Sequence, residues 1–169
     1  MLTVITFFWQ LCTLRAHTSK VPTASWFVAM VVLANLITSL LLSTALSEGA
    51  DPWRTATAIV VPQATFACLL WLALYFRSVE ARFLPTLTSV FGCDLLLTAL
   101  LGATLPLIRM IFDGAADSLL FAFFLWTIVI YGHIVHQALD IRYVPATGVA
   151  LGMWFLSTVV AQAVLENPA

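Results

Sequence analysis

Apolar stretches as long as a bilayer is thick alternate with short polar breaks along this chain. A hydrocarbon core of ~30 Å needs about 20 apolar residues per helical crossing. Five stretches meet that length: Ala24–Leu46, Thr55–Phe76, Pro85–Leu107, Ser118–Leu139 and Tyr143–Leu165. Their runs are continuous rather than alternating, which predicts helices and does not fit a lipid-embedded barrel. The pattern therefore predicts an all-α, polytopic bundle of five transmembrane spans, a single membrane domain over residues 1–169. No internal repeat and no low-complexity segment divides it.

The opening run, Met1–Leu14, is apolar but short. At the rise of an α-helix it reaches ~21 Å, too little to cross. Arg15, His17 and Lys20 follow it, so the expectation is an interfacial helix with Phe7, Phe8 and Trp9 in the acyl boundary and His17 solvated. A basic stretch ahead of the apolar run and a small-residue cleavage motif after it are both missing, which argues against a cleaved signal peptide.

Composition agrees with the pattern. Of 169 residues, 62% are apolar and 9% charged, against roughly 25% charged in soluble domains. Mean hydropathy is +1.04. Asp94 is the only charged residue inside the five spans, as expected where each unpaired charge costs a few kcal/mol. A net charge of −1 without clustered Lys and Arg excludes a nucleic-acid partner. With Met1 placed in the cytoplasm, Arg15, Lys20, Arg77, Arg82 and Arg142 lie on that side, and Arg54 and Arg109 on the other. This asymmetry predicts a cytoplasmic N-terminus and a C-terminus on the opposite side.

Catalytic and cofactor motifs were sought without success. The chain has no H-E-x-x-H, no G-x-S-x-G, no Walker loop and no G-x-G-x-x-G. Cys12, Cys68 and Cys93 show no C-x-x-C spacing and read as small packing residues. No cofactor is expected, no metal is assigned, and the chain reads as non-enzymatic.

The chemistry lies in polar residues at lipid depth. Asp94 sits ~14 Å into the third span, and His133 ~9 Å from the end of the fourth. Two helices joined by a short connection pack as antiparallel neighbours, so Asp94 and His133 could meet, with His136 and Asp140 continuing the face at i+3 and i+7. Two readings stand for the cluster of Asp94, His133 and His136. One is a proton-accepting or ion-coordinating site, and the other is interhelical glue, the reading given to Asn35 and Gln63. His133, His136 and Asp140 as metal ligands is a weaker alternative. Pro62 and Pro106 should kink their spans, and Pro62-Gln63 could open a polar pocket. Gly148 and Gly152 form a G-x-x-x-G, and Ala146 with Ala150 a second small pair four apart. Such spacing suits close helix packing, within the chain or against a second copy.

Further features converge on a family. Glu80-Ala81-Arg82-Phe83 leads into a span bearing Gly92. An aromatic-rich span around Trp126 runs through Ala138-Leu139-Asp140-Ile141. A short polar turn then opens a last helix at Ala146-Thr147-Gly148-Val149-Ala150-Leu151. This layout resembles the Yip1-like (YIPF) superfamily of five-span membrane proteins over Ala24 to Leu165. The family's Asp-Leu-Tyr-Gly-Pro signature is absent, and GTPase binding is not carried over. The resemblance implies a non-catalytic integral membrane adaptor or accessory subunit, its partners being the lipid bilayer and another membrane protein, with a homo-oligomer through the last helix as an option. The alternative is a small transporter or ion-conducting protein that uses the Asp/His cluster.

Overall fold

A computed structural model describes residues 2–16, 24–46, 51–111 and 115–166. They form six α-helices: α1 (Leu2–Cys12), α2 (Ser25–Leu46), α3 (Pro52–Phe76), α4 (Phe83–Ile111), α5 (Ala115–Leu139) and α6 (Tyr143–Glu166), with a 3-10 turn at Glu80–Arg82. Among the described residues there is no strand, and α2 to α6 are each long and apolar enough to cross a membrane. His17, Lys20, Glu48 and Asp113 lie outside the described residues.

The helices run past their apolar cores because their ends are capped. Asp51 accepts a hydrogen bond from the Trp53 N–H at 3.1 Å and Pro52 occupies the first turn, so α3 starts ahead of its apolar run. Leu14, Ser78 and Asp140 follow α1, α3 and α5 with φ between 52° and 62°. That left-handed step turns the chain back, and after α3 it lets the Val79 N–H reach the Leu74 carbonyl at 3.0 Å.

The five long helices form a closed ring in the order α2–α4–α5–α6–α3, with α3 returning to α2. Large apolar side chains such as Leu33, Leu41, Phe121 and Phe155 point outward. Inside the ring, small residues let backbones approach. The buried seam of α6 is Ala146, Ala150, Met153, Ser157 and Ala161. Opposite it, a β-carbon on Gly132 would fall 2.9 Å from the Thr147 Cα, so α5 and α6 cross where neither has room for more. Lipid tails are as apolar as leucine, so such packing has to come from fit rather than from exclusion of water.

The structure leaves Gly148 and Gly152 without a packing partner inside this chain, and it adds a buried face to the short N-terminal helix. Gly148 and Gly152 are exposed, and a β-carbon on either would meet nothing within 4 Å. The G-x-x-x-G faces outward, because Ala146 and Ala150 occupy the inward face of the same two turns. The short N-terminal helix is present and packs against α4. Phe8, Leu11 and Cys12 are buried. The Phe8 ring occupies the space that a side chain at Gly92 would take, about 14 Å along α4 from its start. Trp9 alone of the three expected aromatics is largely exposed, at 55%.

Substitutions separate the two faces of α6. Ala150→Leu should destabilise the detergent-solubilised protein by about 1–3 kcal/mol through overpacking, whereas Gly152→Leu should leave its unfolding midpoint unchanged. A matched loss in both variants, read by thermal unfolding in detergent, would contradict this seam.

Candidate functional site

At mid-depth four helices each contribute one polar side chain to a single hydrogen-bonded chain. Asn35 of α2 is fully buried. Its Nδ2 donates to the Phe91 carbonyl at 3.2 Å and to Asp94 Oδ2 at 2.9 Å. Gln63 of α3 donates from Nε2 to Asn35 Oδ1 at 2.7 Å. From α5, the Tyr131 hydroxyl donates to Asp94 Oδ1 at 3.1 Å.

The directions of the Asn35 and Gln63 bonds follow from one group. A backbone carbonyl can only accept, so the end of Asn35 that meets Phe91 must be its NH2. That same NH2 then donates to Asp94. The Asn35 oxygen is left facing Gln63, which must present its own NH2. The Gln63 oxygen is thereby turned away, and Oε1 is buried without a hydrogen-bond partner. Asp94 thus accepts one donor on each oxygen, the arrangement that suits a carboxylate.

The network borders a cavity of about 380 Å³. Its lining comes from α3, α4, α5 and α6, and extends from Leu165 in the last turn of α6 to Asp94 and Tyr131. Pro62 lines it together with Ala58. Proline has no N–H, so the Ala58 carbonyl one turn earlier loses its helical donor at the wall of the cavity. Pro62 and Gln63 therefore border a cavity whose lining is mostly apolar, rather than the polar pocket expected there. None of the residues that line the cavity or bond Asp94 carries a positive charge.

The histidines belong to a different place, and the expected pairing of Asp94 with His133 is not formed. Tyr131 faces Asp94, and two residues along a helix is a turn of about 200°, which carries His133 to the far side of α5. There His133 Nε2 lies 2.7 Å from Gln137 Nε2, and the same amide donates to the Ala16 carbonyl at 3.4 Å. His136 Nδ1 donates to the Ile141 carbonyl. The two rings and Tyr143 pack together, with His136 and Tyr143 centroids 6.1 Å apart. These imidazoles tie α1, α5 and the turn before α6. Asp140 is exposed, and no group of three His, Cys, Asp or Glu suited to a metal occurs among the described residues.

Sequence reasoning missed Tyr131, whose ring also packs on Phe66 at 5.2 Å. A tyrosine in an aromatic-rich span carries no signal until the helix rotation is known. It missed the arginines too. Arg77 donates to the Leu139 carbonyl at 3.2 Å, and Arg82 to those of Gln137 and Ala138 at 3.4 and 3.2 Å. They satisfy the free carbonyls that end α5 and complement its dipole.

Compared with known proteins, the chain matches no family model, no curated protein and no solved structure.

Asn35 is the hub, and the stability of variants should show it. Tyr131→Phe removes one donor and should cost about 0.6–1.7 kcal/mol. Asn35→Leu strips Asp94, Gln63 and the Phe91 carbonyl of a partner together and should cost clearly more. Equal midpoints for the two variants in chemical unfolding would contradict the hub.

Proposed function

We propose that this is a non-enzymatic integral membrane protein of the small-transporter type, which takes a polar solute or ion into the cavity beside Asp94. The observation that carries this reading is a carboxylate at mid-depth, held by two donors, facing an open cavity and lacking a cation in its lining. A dry bundle with Asp94 sealed among its partners would have favoured a purely structural acid. Intramembrane acids that border cavities are the usual means by which membrane proteins bind ions or relay protons. The excess of Lys and Arg on the N-terminal side supports a cytoplasmic N-terminus. In that orientation the end of the cavity bordered by the last turn of α6 lies toward the opposite side.

The adaptor reading implied by the Yip1-like layout keeps one observation in its favour. Gly148 and Gly152 lie uncovered on the outer face of α6, where a helix of another membrane protein, or of a second copy, could approach closely.

Water access decides between a cavity that loads and one that is merely a packing void. Cys68 is the exposed cysteine of the three and is first replaced by serine. On that background Thr158→Cys places a thiol in the cavity wall. A membrane-impermeant methanethiosulfonate should modify it in sealed vesicles from the side opposite the N-terminus. Absence of modification from either side in folded protein would refute the transporter reading.

A further inference from the structure

The polar groups of the cavity share one character. Gln63 Oε1 is buried with no partner. Each Asp94 oxygen accepts a single hydrogen bond and retains a free lone-pair direction. The Tyr131 proton is directed to Asp94, which leaves its oxygen able only to accept. Ser157 and Thr158, which also line the cavity, donate their hydroxyl protons to the Trp154 carbonyl, at 2.7 and 3.0 Å, which leaves their oxygens able only to accept. The donors in the lining are the Gln63 amide, already bonded to Asn35, and the Trp154 indole and Gln162 amide on α6. The floor is a set of acceptors around a carboxylate.

The rest of the lining is aromatic and aliphatic: Phe66, Phe91, Tyr131 and Trp154 border the same space. Aromatic faces attract cations, with Trp strongest. A bare metal ion needs several oxygens in close contact and a site not much larger than itself, which does not describe about 380 Å³ walled by rings. Such a volume lies in the range of small-molecule sites.

Resting on the transporter reading, we propose that the cavity is a binding site for a small organic ammonium ion. Its N–H groups bond Asp94, and its hydrocarbon part lies against Phe66 and Trp154. The positive charge supplies the counter-ion that the lining lacks. A neutral isostere offers no charge, and an anionic one is repelled.

The test is protection of the Thr158→Cys thiol in sealed vesicles holding the full chain with Cys68→Ser. The probes are methylammonium, butylammonium and phenethylammonium, a series graded in size. Each is compared with its neutral alcohol isostere and its carboxylate isostere, and sodium and potassium serve as inorganic controls. At least one ammonium ion should slow modification by about tenfold or more, the scale of a charge-assisted hydrogen bond. Its isosteres and the inorganic ions should have no effect, and Asp94→Asn should abolish protection while the thiol still reacts. Reaction without protection by any ammonium ion overturns this proposal and leaves the water-filled cavity standing. Protection by sodium or potassium alone, by the alcohols equally, or undiminished in Asp94→Asn overturns it as well. A thiol that never reacts ends both this proposal and the transporter reading.

Discussion

The bond between the Asn35 amide and the Phe91 carbonyl orients everything at the centre of this bundle. It is a neutral contact of ordinary length, yet it is the one whose direction cannot reverse. From it follow the donor offered to Asp94, the acceptor offered to Gln63 and the unfilled Gln63 oxygen. A carboxylate surrounded by hydrocarbon needs donors from its own protein, since lipid has none. Asn35 of α2 and Tyr131 of α5 meet that need for Asp94 of α4, and Gln63 of α3 joins through Asn35, so the network also sets how α2, α3, α4 and α5 are rotated about their axes.

That rotation is what the sequence concealed. The five spans were legible because nearly every position in them is apolar, and the breaks between them carry the charges. The same uniformity hides which face of each helix points inward. Ala146 with Ala150 and Gly148 with Gly152 are equally good small pairs on paper, yet they lie on different sides of α6. Asp94 and His133 have compatible depths on adjoining helices, and depth was the only coordinate available. Tyr131 is the residue of α5 that bonds Asp94, and the helical angle of about 200° over two residues carries His133 away from it. Asn35 and Gln63 read as glue, which describes their bonds but not that Gln63 holds Asn35 and Asn35 in turn holds a carboxylate.

Helix ends were more readable than helix faces, though not fully. Asp51-Pro52 is a start signal whose mechanism is local. The ends of α1, α3 and α5 use Leu14, Ser78 and Asp140 in a conformation usually reserved for glycine, so the usual stop signal was missing. Docking of α1 depended on a distant residue, because only the absence of a side chain at Gly92 makes room for Phe8. Arg77 and Arg82 were read as markers of orientation. They also close the end of α5, and the two uses are compatible because both need a guanidinium at the membrane edge.

The claim on which this account turns is that Asn35 and Asp94 act on each other directly. A double-mutant cycle of Asn35→Ala and Asp94→Asn, followed by unfolding in a defined detergent, measures that coupling. The account predicts an interaction energy clearly above the roughly 0.3–0.5 kcal/mol within which independent sites add. Strict additivity of the two substitutions would contradict it.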